Sequence, residues 1–172
     1  MTLSTIATSI GYTGNGATTV FPVPFVFFDR DELQVIERVL ATGAETIKEL
    51  DTHYTVAGGN GATGSVTATA APSSTVAWHI RRATAKTQGI AYVANDAFPA
   101  ATHERALDRL TAQGQENAAD IGRAVLVPRS DPAMDLTLPT ASRRARKALI
   151  FDDDGKPTVS AEDHAEIDAA AV

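Results

Sequence analysis

The apolar pattern of the chain changes period at Pro99, and this change limits the folds that are open to it. Before Pro99, short apolar–polar alternations are separated by Gly, Pro and Asn, which predicts β-strands joined by turns. After Pro99, apolar residues recur at spacings of four and three, as in a helix. We therefore expect a mainly β N-terminal domain (1–97), an antiparallel sandwich or barrel-like sheet. A helix (98–128), and then an extended linker with a short hairpin and a terminal helix (129–172), complete the chain.

The strongest strand signal lies at 75–82, where Val76, Trp78 and Ile80 share one face. We expect Trp78 to pack inside the β-domain with the other two. Weaker alternations predict further strands at 19–27, 33–40, 46–56 and 65–70.

The segment 19–27 carries two prolines, Pro22 and Pro24, on the face opposite four apolar side chains. Proline cannot donate to a ladder, so this segment is predicted to be an edge strand or an extended arm. An isolated domain would then expose part of the apolar face, which makes it a candidate contact for a partner. Its members are Phe21, Val23, Phe25 and Phe27.

Two Asn-Gly pairs, Asn15-Gly16 and Asn60-Gly61, lie between strand-like segments and predict hairpin turns, since both residues tolerate positive φ. The second pair is part of a G-x-G-x-x-G match at 59–64. Dinucleotide binding requires a helix directly after that motif, and a strand-like segment follows instead, so the hairpin is favoured.

The helical segment presents a heptad seam formed by Leu107, Leu110 and Ile121. Three polar or small residues interrupt it: His103, Gly114 and Asn117. A single exposed helix of this quality is marginal, so it needs its own β-domain or copies of itself as a neighbour. Of the apolar residues, 31 are alanine, which leaves a thin core and favours partner subunits.

Beyond Pro128, prolines indicate an extended connector, and 149–159 predicts a hairpin turning at Asp154-Gly155. Ser160 is predicted to cap a final helix that runs to Val172. The acids at 152–154 favour an exposed turn over a calcium loop, because the first and twelfth loop positions would not be carboxylates.

Composition excludes several classes of protein. The absence of cysteine removes disulfides and thiolate metal sites, and no apolar run is long enough to cross a membrane. We also expect no signal peptide. A net charge of −6 argues against nucleic-acid binding. The four histidines are scattered and no nucleophile motif is present, so we expect no enzyme, no catalytic residue, no metal and no cofactor.

Three stretches together resemble one known family. The first is 13–28, which includes TVFPVPFVFF, together with DTHYTV (51–56). The second is IRR (80–82) through Gln88, with FPAATHERALDRLT (98–111) and Gln115-Glu116. The third is Leu138-Pro139, with 144–149 and FDDDGKP (151–157). The order of these motifs resembles that in the N-terminal virion-anchoring domain of tail fibre and tailspike proteins of short-tailed bacteriophages. The chain is expected to be that domain or a stand-alone tail adaptor built on it.

The resemblance implies a homotrimer in the virion tail, with helices around the three-fold axis and a β-domain that binds tube, nozzle or adaptor proteins. A distal fibre or spike protein is a further expected partner. Residue patterns leave a carbohydrate-binding β-module of the host surface as the alternative. A second docking candidate is the basic cluster, for which a solvated face is the alternative. The cluster consists of Arg143, Arg144, Arg146 and Lys147.

Overall fold

The computed structural model describes residues 3, 5–89, 91, 99–132 and 135–163. The chain forms two compact units, Met1–Ala124 and Val125–Val172. Within the described residues, the first unit contains seven strands, a short 3₁₀ turn (Arg30–Glu32) and one long helix. These elements are β1 (Ser9–Thr13), β2 (Val20–Phe27), β3 (Leu33–Val39), β4 (Glu45–Lys48), β5 (Tyr54–Gly58), β6 (Ala62–Ala68), β7 (Val76–Arg82) and α1 (Ala100–Ile121).

The seven strands form two antiparallel sheets, which confirms the mainly β fold. One sheet has the order β1-β7-β3-β4 and the other the order β2-β6-β5. Apolar side chains from both sheets form one buried cluster, to which Phe25, Val35, Val66 and Ile80 contribute fully buried side chains. Because alternate residues of a strand point to opposite faces, each sheet supplies this core from one face only.

The predicted strand 46–56 is wrong, since it divides into β4 and β5, which lie in different sheets. The chain turns at Asp51, whose φ of 64° lies in the left-handed region. A hydrogen bond from the Asp51 N–H to the Tyr54 carbonyl (2.7 Å) closes the turn.

The two Asn-Gly pairs have different outcomes. Asn60-Gly61 joins the paired strands β5 and β6, with φ of 57° and 87°, and this hairpin is confirmed. Asn15-Gly16 joins β1 to β2, which belong to different sheets, so the predicted hairpin is wrong. The Gly16 N–H instead donates to the Pro72 carbonyl (2.8 Å), which ties this loop to the β6–β7 connection.

The helix α1 begins after Pro99, as predicted, but ends well before Pro128. Gly122 is a poor helix former, and the next two N–H groups bond three residues back, Arg123 to Asp120 and Ala124 to Ile121. This tighter turn ends the helix. α1 belongs to the same compact unit as the seven strands, whereas the sequence pattern separates the two.

The second unit contains α2 (Ala141–Arg144) and a hairpin of β8 (Lys147–Phe151) and β9 (Pro157–Asp163). The predicted hairpin and its turn at Asp154-Gly155 are confirmed. Ser160 does not begin a helix, since it lies within β9, where its hydroxyl accepts from the Ala148 N–H (3.1 Å). The rest of the predicted terminal helix, 164–172, lies outside the described residues.

Candidate assembly surfaces

Trp78 lies in the core of the first unit, as predicted. It is 3% exposed, its ring centroid is 5.5 Å from that of Phe21, and Ile80 beside it is fully buried. The Trp78 Nε1–H donates to Glu37 Oε2 (2.9 Å), and Lys48 Nζ lies 2.7 Å from Glu37 Oε1. Burial raises the pKa of Glu37, but hydrogen bonds from Lys48 and Trp78 outweigh it, so that this pKa is lowered.

The apolar face of β2 is not a partner surface. Phe21, Val23, Phe25 and Phe27 are at most 3% exposed, because the β1-β7-β3-β4 sheet contributes to the same core and covers them. The prediction that these side chains contact a partner is therefore wrong. β2 is nevertheless an edge strand, paired with β6 alone, and its prolines lie on the exposed face. The sequence indicates the alternation but not the sheet that covers it.

A buried polar network, which the sequence analysis did not identify, holds α1 against the strands. Arg82 is 1% exposed, and its Nε–H donates to Glu116 Oε1 (2.8 Å). Its Nη1 and Nη2 groups donate to the carbonyl of Val26 (2.7 Å) and to Gln115 Oε1 (2.8 Å). Thr84 completes the network, since its N–H (3.0 Å) and its hydroxyl (2.6 Å) both donate to the Glu116 carboxylate.

A signal for this network exists in the sequence. Arg82 shares the inward face of β7 with Trp78 and Ile80, and a charged residue in such a position needs a buried partner of opposite charge. The sequence alone does not identify the partner, because Glu116 lies 34 positions further along the chain.

A second set of contacts fixes the N-terminal half of α1. Arg109 Nη1 lies 2.9 Å from Glu32 Oε1, and the Arg109 guanidinium also pairs with Asp29. The same guanidinium stands 5.1 Å from the centroid of the Phe28 ring, within cation–π range. Arg105 reaches the Asn60 side chain at 2.5 Å. Both halves of the helix are therefore bound to the β-domain, the N-terminal half through connections between its strands.

The predicted seam lies on an exposed face of α1. Ala112 and Glu116 are the buried residues of the helix, whereas the seam residues are 51%, 63% and 56% exposed. We call this seam, Leu107, Leu110 and Ile121, the apolar stripe. The β-domain of the same chain thus does not cover the stripe, and its role in oligomerisation stays a prediction.

The basic cluster is exposed at three of its four positions. Arg143 and Arg144 lie in α2, and Arg146 follows with a left-handed φ of 60°. Lys147 begins β8 and is half-buried, and its ammonium group donates to the Ala161 carbonyl. The hairpin thus uses Lys147 internally, while the three arginines face solvent.

The remaining motifs have local structural roles. Residues 59–61 form the β5–β6 turn, and residues 62–64 already belong to β6. Asp152 Oδ1 accepts from the N–H groups of Asp154 and Lys156, which closes the β8–β9 turn. Across 5–89, 99–132 and 135–163, no three His, Asp or Glu side chains group as metal ligands, and no helix there is long and apolar enough to cross a membrane.

Comparison with known proteins supports the similarity of this chain to structural proteins of bacteriophage tails. No protein-family model matches the sequence. The chain is 38% identical, over 112 residues, to the tail spike protein of Salmonella phage epsilon15. The match covers 64% of this chain and 10% of that protein. This chain thus spans a small part of the relative's length.

Proposed function

We propose that the chain is a structural virion protein that anchors a tail fibre or tailspike to the phage tail through protein–protein contacts. Its partners are tube, nozzle or adaptor proteins of the tail and, where it acts as a separate adaptor, a distal fibre or spike protein. It works as a homotrimer and without enzymatic activity, metal or cofactor. The similarity to a tail spike protein supports the location in the virion tail.

The observation that carries the proposal is the exposed apolar stripe on a helix whose opposite face is fixed by buried polar contacts. Because Arg82 and Glu116 hold α1 from inside, the helix cannot rotate to bury Leu107 and Leu110 against its own strands without breaking that network. Apolar stripes at heptad spacing are covered by other helices. Three copies that meet along α1 would cover the stripe and leave the strands outermost, where they can contact the tail.

Carbohydrate binding has less support. Sugar sites use exposed aromatic side chains, and Trp78 is buried with its indole N–H already bonded to Glu37. Among the aromatic side chains that the structure describes, Phe151 in the β8–β9 hairpin is 61% exposed, whereas Phe21, Phe25 and Tyr54 are buried. These aromatic residues support a core rather than a sugar platform.

The test uses a phage that lacks the gene for this chain, complemented from a plasmid. With the wild-type chain supplied, immunoblots of purified particles should show both this chain and the fibre or spike protein. The variant Leu107→Asp/Leu110→Asp should restore neither, because charges in a buried seam oppose assembly. Leu136→Asp/Leu138→Asp, a matched pair of exposed leucines outside α1, is the control. Normal fibre content without the chain would contradict the proposal.

A further inference from the structure

A cleft of about 400 Å³ lies between the outer face of the β1-β7-β3-β4 sheet and the C-terminal part of α1. Its floor includes Gly11, Ile36 and Ala77, which lie on the face opposite the core. Gly11 pairs with His79 across β1 and β7, and a Cβ at Gly11 would stand 3.8 Å from His79 Nδ1. Residue 11 thus places no side chain over the histidine ring.

The guanidinium groups of three arginines surround this floor: Arg38, Arg81 and Arg123. We call the site the arginine cleft. The guanidinium groups of Arg38 and Arg123 make no hydrogen bond or ion pair with the residues that the structure describes. Arg81 Nη1 lies 3.8 Å from Asp120 Oδ1, and both side chains are more than one third exposed, so this pair is weak. The cleft therefore contains guanidinium donors that no described group saturates.

Three positive charges face two carboxylates, those of Asp120 and Glu45. Arg82 and Glu116, which also border the cleft, neutralise each other in the buried network. The surplus is one positive charge in a chain whose net charge is −6. A single anion balances this site, whereas a nucleic acid or other polyanion would be repelled by the rest of the chain.

We propose that the arginine cleft binds one carboxylate of a partner polypeptide, an aspartate or glutamate side chain. Guanidinium groups bind carboxylates through paired N–H donors, and the apolar floor accommodates the aliphatic part of the same residue. This carboxylate binding goes beyond the proposed function, because the isolated chain can bind a carboxylate outside the virion.

His79 reports on the cleft. Burial, together with Arg123 and Arg81, lowers the pKa of His79, and Glu45 opposes this change. The groups that face it are Arg38, Arg81, Arg123, Asp120 and Glu45. A bound carboxylate brings a negative charge beside the ring, so it raises this pKa. By linkage, the carboxylate binds more tightly as the pH falls through the His79 pKa.

The experiment is an NMR titration of the full chain, labelled at histidine, with the blocked peptide acetyl-Ala-Glu-Ala-amide. We expect saturable shifts of the His79 ring signals and a raised His79 pKa, with His53, which lies outside the cleft, unchanged. The matched peptide with Gln in place of Glu should produce neither effect. Equal binding of the two peptides would overturn the proposal, and so would tighter binding of inorganic phosphate.

Two variants assign the site. Arg123→Gln should weaken the Glu peptide about tenfold or more, the range for loss of a hydrogen bond to a charged group. Arg129→Gln removes an exposed arginine outside the cleft and should bind as the wild type does. Because both side chains are exposed, both variants should keep the wild-type melting temperature. Unchanged binding by a folded Arg123→Gln would exclude the arginine cleft, and this result is independent of any virion assay.

Discussion

Replacing Glu116 by Ala tests the network that holds α1 to the strands. The change leaves the Arg82 guanidinium buried without its carboxylate and removes two acceptor contacts from Thr84. Removing one partner of a buried pair costs about 3–5 kcal/mol, since the other charge is left uncompensated. Three hydrogen bonds to a charged group, taken one by one at about 1.5–3 kcal/mol, would reach a larger sum. Because coupled contacts are not additive, we expect the smaller range.

The double variant Arg82→Met/Glu116→Leu measures the contribution of the Arg82–Glu116 pair to stability separately from the cost of leaving one buried charge unpaired. It removes both charges together, so the remaining cost comes from the polar groups that lose their partners, about 1–3 kcal/mol for each one left unsatisfied. The two donors of Thr84 lose their acceptor in both variants, whereas only Glu116→Ala also leaves a buried charge without its counter-charge. The double variant should therefore be more stable than Glu116→Ala. The exposed pair Arg81 and Asp120 is the control, and breaking it should cost at most about 1 kcal/mol.

The assay is urea unfolding, followed by the fluorescence of Trp78, the sole tryptophan, and by the circular dichroism of the helix. Both signals should shift together to lower urea in Glu116→Ala, because helix and strands form one compact unit. A loss below about 1 kcal/mol by both signals would refute the network as the link between α1 and the strands.

Three further expectations have direct tests. Trp78→Ala should lower stability by about 3–5 kcal/mol in thermal melting, whereas a sugar-binding Trp78 would keep the wild-type melting temperature. The pKa of Glu37 is lowered from its ordinary 4.5, so the contribution of its charge to stability is full above pH 4.5 and is lost as the pH falls through the lowered pKa. Unfolding experiments at neutral and acidic pH should therefore show a smaller loss of stability on acidification for Glu37→Gln than for the wild type. Replacing the three exposed arginines of the basic cluster, Arg143, Arg144 and Arg146, by Gln should reduce incorporation into particles without changing the melting temperature, and normal incorporation would mark the cluster as a solvated face.

Local chemistry predicts many elements of this fold but not the way in which they are paired. The alternation around Trp78 and the turn at Asn60-Gly61 are visible in the sequence because a few adjacent residues determine each. Asn15-Gly16 has the same local chemistry, yet its flanking strands join different sheets, since strand pairing depends on packing between distant segments.

The same limit applies to the candidate surfaces. The pattern of β2 indicates an apolar face, but the burial of Phe25 depends on the β1-β7-β3-β4 sheet, which covers that face. For α1 the heptad spacing indicates an apolar stripe, but which face meets the strands depends on the contact between Arg82 and Glu116. The arginine cleft likewise joins Arg38, His79 and Arg123, which are far apart in sequence.

The most direct test of the central claim is electron cryomicroscopy of phage particles that carry an N-terminally tagged copy of this chain. The account predicts density for the tag at the tail, where the fibre or spike joins it, in three copies per attachment site. Particles that lack the chain, or a tag located on the capsid, would contradict the anchoring role.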